Sequence, residues 1–66
     1  MTVVKVMELV GDSTESWDDA IRNAVKEASK KVSNISGVEV LNMTANVQDG
    51  ELVEYKADIQ IAYTID

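Results

Sequence analysis

The sequence predicts an α+β domain of order β-α-β-β, with a three-stranded antiparallel sheet of strand order 1-3-2 packed on one helix. Three observations carry this expectation. A single apolar stripe at helical spacing lies between two stretches rich in β-branched residues. An Asp-Gly pair separates the last two apolar stretches. The final stretch then alternates between two chemically distinct faces without a break.

Val3 to Val10 reads as the first strand. Both of its faces are partly apolar, Val4, Val6 and Val10 on one and Val3, Met7 and Leu9 on the other, as in a strand covered on both sides. Gly11 is expected to end it, and Asp12 or Ser13 to cap the helix that follows. Glu15, Asp18 and Asp19 suit the positive end of the helix dipole. The helix, taken over Thr14 to Ser33, places Trp17, Ala20, Ile21, Ala24, Val25, Ala28 and Val32 in one stripe. Ala20, Ala24 and Ala28 stand four apart and give the stripe a thin edge, so the backbone can approach a sheet closely. Asp18 precedes Arg22, and Glu27 precedes Lys31, by the four residues that favour helical ion pairs. Lys26, Lys30 and Lys31 load the last turns, and Gly37 lies just past the end.

Val38 to Val47 reads as the second strand and Leu52 to Ile65 as the third, joined by a tight turn at Asp49-Gly50. On the third strand Val53, Tyr55, Ala57, Ile59, Ile61, Tyr63 and Ile65 share the face that packs on the helix. Leu52, Glu54, Lys56, Asp58, Gln60, Ala62, Thr64 and Asp66 share the other, which must meet water. A right-handed crossover makes strands one and two parallel, and the hairpin partner lies between them. Such a third strand spans roughly 46 Å at about 3.3 Å per residue, whereas the helix covers about 30 Å. The excess hairpin is expected to pack on other chains.

Sixty-six residues make a single domain, 1–66, and a chain this short needs a staple or an assembly. It has neither cysteine nor histidine, which removes disulfides, imidazole ligands and the usual nucleophile and base constellations. No enzyme activity is expected. The net charge of −6 makes a poor nucleic-acid binder. The N-terminal apolar stretch is broken by Lys5 and Glu8, so neither a signal peptide nor a membrane span is read there, and a cytoplasmic protein is expected.

The residues also carry a family resemblance. Val6-Met7-Glu8-Leu9-Val10-Gly11-Asp12-Ser13, the Ser16-Trp17 helix start with Ala20 and Ala24-Val25, Gly37-Val38-Glu39-Val40, Val53-Glu54-Tyr55-Lys56 and Ile61-Ala62-Tyr63 resemble the dodecins in order and spacing. The resemblance covers nearly the whole chain and implies a hollow homo-dodecamer that binds or stores a small ligand. In the best-known members that ligand is a flavin (riboflavin or FMN) stacked in pairs between tryptophans. The tryptophan position falls on Gly37 here. The glutamine that reads the flavin edge aligns with Lys56, and a carboxylate contacting the flavin side chain aligns with Asn42. These three are the expected cofactor-binding positions, with flavin binding weakened by loss of the stacking surface. Relatives with a similar helix start and no such tryptophan look like cation-binding dodecins. The alternative ligand is therefore Mg or Ca, with Glu54 and Asp58 as its expected ligands; an assembly without a ligand stands beside it. Ion pairs of Lys56 with Glu54 and Asp58 are the plainer use of that polar row. Likewise the Asp12/Glu15 and Asp18/Asp19 clusters serve the helix start more simply than a cation. Trp17 is expected to pack at the helix–sheet or subunit contact, and Tyr55 and Tyr63 in the core.

Overall fold

Residues 2–65 are described by the computed structural model, which arranges β1 (Val3–Ser13), α1 (Trp17–Ser29), β2 (Ile35–Gln48) and β3 (Glu51–Ile65) in that order. The sheet order is β1-β3-β2, and β3 is antiparallel to both neighbours, as expected. Asp66, which the alternation puts on the polar face, lies outside the described residues.

The core is thin and sits under the helix. Ala20, Ala24 and Ala28 on α1 meet Ala57, Ile59 and Ile61 on β3, all buried, and Met7, Leu9, Ile21, Val25, Ile35 and Tyr63 pack around them. Ile59 and Ile61 are the largest fully buried side chains. Burying a side chain of this size contributes about 1.5–3 kcal/mol, so two of them leave the chain with little reserve against its conformational entropy. The alanine spacing thus does what the sequence implied, bringing the helix axis close to the sheet.

Gly11 does not end β1; the strand runs through it to Ser13. The reason is tertiary. A Cβ at Gly11 would strike the Ala20 carbonyl oxygen and come within 2.9 Å of Ala24 Cβ, so glycine here is the point of closest helix–strand approach. The helix cap is correspondingly later than Asp12 or Ser13. Ser16 is the N-cap, its Oγ accepting from the Asp19 N–H at 3.0 Å. Ser13 builds the preceding turn instead: its Oγ accepts from the Glu15 N–H at 2.9 Å and donates to Asp19 Oδ2 at 2.7 Å. At the other end regular helix stops at Ser29, not Ser33, and Lys30 N–H turns back to the Glu27 carbonyl at 3.2 Å. Asn34, with φ 62°, makes the left-handed reversal that the sequence suggested for Gly37. Glu27 pairs with Lys30 at 3.1 Å, not with Lys31. This is the one ion pair among the described residues, so Asp18 and Arg22 are not joined.

Asp49 and Gly50 have φ of 54° and 78°, both left-handed, the signature of the tight type I′ hairpin turn. The β2–β3 ladder carries three irregularities that alternation alone does not reveal: Ser36 and Leu41 are extra residues on β2, and Val53 is extra on β3, which sets Leu52 opposite Val47 and takes it out of the polar alternation expected for it. The middle one has a clear effect. Leu41 is the extra residue, and it re-phases the strand so that Asn42 faces away from the helix while Met43 rejoins Val38 and Val40 on the helix side.

The mismatch in lengths is larger than the sequence suggested. α1 has 13 residues, about 20 Å of helix, under a β3 of 15 residues in a molecule 52 Å long and 19 Å across. Its cover reaches β1 and β3 and hardly β2. Val38, Val40, Met43 and Val53 point to the helix side yet remain exposed, Met43 by 55%.

Candidate functional site

The face of the sheet away from α1 gathers the polar residues of all three strands into rows. Register places Gln60 of β3 between Glu8 of β1 and Glu39 of β2, and Asp58 between Val10 and Asn42. Lys56 stands between Asp12 and Thr44, and Glu54 opposite Asn46. Five carboxylates, Glu8, Asp12, Glu39, Glu54 and Asp58, therefore stand in these four rows with the single ammonium of Lys56.

Within this array the expected site residues fall as follows. Gly37, Asn42, Lys56, Glu54 and Asp58 all belong to the polar face. Gly37 lies opposite Ala62, six positions along β3 from Lys56, or about 20 Å. A Cβ at Gly37 would meet nothing within 4 Å, and its φ is not left-handed, so neither space nor backbone demands glycine there. Asn42 and Lys56 occupy neighbouring rows, a diagonal of about 7–8 Å. One chain thus brings Asn42 and Lys56 together and leaves Gly37 apart. Gly37 itself offers no ring to stack on.

The two expected cation ligands are separated in one chain as well. Glu54 and Asp58 are four positions apart on one strand, about 13 Å, and Glu54 Oε1 accepts from Asn46 Nδ2 at 2.7 Å. Among the described residues no three acids come close enough to hold a metal ion, the Asp12/Glu15 and Asp18/Asp19 clusters included. Lys56 makes no ion pair with Glu54 or Asp58. A shallow groove of about 210 Å³ lies elsewhere, between β1 and α1, lined by Leu9, Gly11, Asn23 and Glu27 among others. Its backbone edge is already satisfied, with Asn23 Nδ2 donating to the Asp12 carbonyl at 3.0 Å.

Glu8 belongs to this face as well, a place that follows from the β1–β3 register and not from the β1 sequence alone. It sits diagonally from Asp58, and the carboxylate of Asp58, by hydrogen bonding and by its charge, raises the Glu8 pKa above its ordinary value. Asp58 Oδ1 is buried and has no donor. When Glu8 is protonated, its O–H can donate to the Asp58 carboxylate. The folded chain then holds that proton more tightly than the unfolded chain does. Stability from this pair is present below the ordinary glutamate range and is lost as pH rises through the raised value. In EDTA, Tm should accordingly fall as pH climbs from the carboxylate range toward neutrality. Glu8→Gln, which keeps a donor facing Asp58, should raise Tm at pH 7 and flatten that slope; a variant whose Tm tracks wild type across the range would refute the shared proton.

The Dodecin family model matches residues 3–66. The chain belongs to the dodecin family. Its fold is that of solved dodecins: it superposes on the dodecin from Streptomyces davaonensis with a TM-score of 0.92, at 28% identity over 98% of this chain and 96% of the other. A variant of the Thermus thermophilus dodecin gives 0.95, at 26% identity over 100% and 98%. The calcium dodecin of Mycobacterium tuberculosis is 27% identical over 63 residues, 96% of this chain and 89% of its own length. Its structure, described as that of a calcium-chelating antigen with a calcium-binding site, matches with a TM-score of 0.84, at 25% identity over 97% and 91%. The dodecin opening strand, Ser-Trp helix start and long hairpin quoted from the sequence are thus β1, the start of α1 and β2–β3.

Proposed function

We propose that this dodecin is a homo-dodecameric shell in the cytoplasm that binds and stores a small ligand on its polar sheet face and catalyses no reaction. The observation that carries the assembly is the uncovered half of the helix-side surface. Val38, Val40, Met43 and Val53 are apolar and exposed, in a chain whose own core reduces to three alanines, two isoleucines and Ala57. Patches of this kind mark contact surfaces, and a chain this small gains most from association. A binding role rather than an enzymatic one is supported by the composition, which lacks histidine and cysteine. An acidic surface gives nucleic acid nothing to bind.

For the ligand, flavin or a related planar cofactor would be met by Gly37, Asn42 and Lys56 contributed from more than one chain, since one chain does not bring them together. Without a ring at Gly37 that binding is weak. A second reading is favoured by the five-to-one excess of acids in those four rows of the polar face and by the likeness to a calcium dodecin. In it Glu54 and Asp58 from neighbouring chains meet around calcium or magnesium, oxygen-ligated cations that tolerate carboxylate and amide donors.

Native mass spectrometry of protein purified without added ligand, followed by additions of riboflavin or calcium chloride, tests both readings at once. The expected spectrum is that of a particle about twelve times the 7.2 kDa chain, with the added ligand retained in a fixed ratio to subunits. A spectrum of monomers would overturn the shell, and a dodecamer that retains neither probe would overturn the binding role.

A further inference from the structure

Trp17 is the only tryptophan in the chain, and it sits on the helix side of the sheet, away from the polar face. Its indole Nε1–H donates to the Thr44 carbonyl of β2 at 2.8 Å, and its ring meets the Tyr55 ring edge-to-face at a centroid distance of 4.9 Å. Such a pair contributes through both its ring contact and its polar end. Ser16, the N-cap, fixes the start of the helix and so fixes the indole.

The segment it grips has little else to hold it. β2 is an edge strand with β3 as its one strand neighbour. Its ladder is interrupted by the bulge between Val40 and Asn42, and α1 scarcely covers it. Thr44 is two residues beyond Asn42 and directly opposite Lys56, whereas Tyr55, the other partner of the indole, is the residue before Lys56. One side chain therefore touches β2 at the row that carries Lys56 and β3 at the row beside it, with Asn42 two residues from the gripped carbonyl, all from the opposite side of the sheet.

We propose that Trp17 is a positioning residue for the polar face, holding the bulged β2 segment so that Asn42 keeps its place beside Lys56 and Asp58. This rests on the reading of that face as the ligand-binding surface and adds the residue that sets its geometry. The indole acts through the Thr44 carbonyl and touches no ligand.

Hydrogen–deuterium exchange on the assembled protein decides it. Trp17→Phe keeps a ring against Tyr55 and removes the donor. It should speed exchange over Asn42 to Asn46 by about tenfold, a local opening and not a global one, while Ala57 to Ile61 and Tm stay near wild type. The affinities for calcium and for riboflavin, measured separately, should weaken several-fold for whichever of the two binds wild type. Trp17→His, which returns a ring N–H, should recover part of the protection. The wild-type indole N–H gives a measurement that needs no variant: it should exchange as slowly as ladder amides of β3. An indole proton lost at the rate of a free one, or unchanged exchange over Asn42 to Asn46 in Trp17→Phe, would overturn the proposal. So would faster exchange there with unchanged affinity. If wild type binds neither probe, the ligand-binding reading fails by itself, and the exchange results still decide whether Trp17 holds the segment.

Discussion

Met43→Glu should abolish the assembled particle and with it the folded chain. In an isolated chain Met43 is a surface residue, 55% exposed on an edge strand, where a glutamate would shift stability by about 0.5 kcal/mol or less. Between subunits the same substitution buries an unpaired carboxylate, and an uncompensated buried charge costs several kcal/mol, repeated at every copy of the contact. The two situations are thus separated by an effect far larger than the error of a melting curve. Light scattering on wild type should report a particle about twelve times the chain mass, and on Met43→Glu a mixture of small or unfolded species. Val53→Glu, on the same uncovered side, should behave alike. A variant that stays folded as a cooperatively melting monomer would contradict the view that other chains complete this surface.

Gly37→Trp should bind riboflavin at least tenfold more tightly than wild type, a change of about 1.4 kcal/mol. The position is open, since even a Cβ would meet nothing within 4 Å, and its backbone suits any L-residue. The indole therefore adds a stacking surface without forcing the core to move. Aromatic stacking contributes on the order of 0.5–1.5 kcal/mol per pair beyond the area it buries, and a flavin enclosed between symmetry-related rings gains from more than one pair. Gly37→Ala, which adds a methyl group and no ring, should leave affinity where it was. Quenching of flavin fluorescence on titration measures all three proteins. A tight wild-type complex that Gly37→Trp leaves unchanged would place the flavin elsewhere.

Most of the framework was legible in the residues because it rests on local periodicity. The alternation of Val53 to Ile65 gave the central strand, its buried face and its polar face. The four-residue spacing of Ala20, Ala24 and Ala28 gave the closeness of helix to sheet, and Asp49-Gly50 gave the turn. What escaped reading depends on partners distant in sequence. Gly11 looks like a strand terminator until Ala20 and Ala24 are seen against it, and the cap moves to Ser16 because the strand runs on. The bulge at Leu41 is invisible to a strict period of two, although Leu41 beside Val40 and Met43 is where that period fails. The polar face follows the same division. Glu54, Lys56 and Asp58 were found because they alternate on one strand. Glu8 was passed over because its place opposite Gln60 and beside Asp58 follows only from register. Trp17 was assigned to packing at the helix–sheet contact, which it does through Tyr55. Its bond to Thr44 spans 27 residues and has no local signal.

The bulge at Leu41 has a consequence for how such a chain can change over generations. Because one inserted residue re-phases β2, the positions that meet the helix and those that meet solvent are kept separate along the whole sheet, even where the sequence breaks step. On the proposed reading of the polar face as the binding surface, a substitution at position 37, 42, 54, 56 or 58 alters what that face recognises and falls outside the alanine–isoleucine core. A lineage can therefore trade an aromatic ring for a hydrogen atom, or an amide for a carboxylate, one step at a time, with every intermediate still folded. The scaffold and its specificity are inherited together but are free to drift apart.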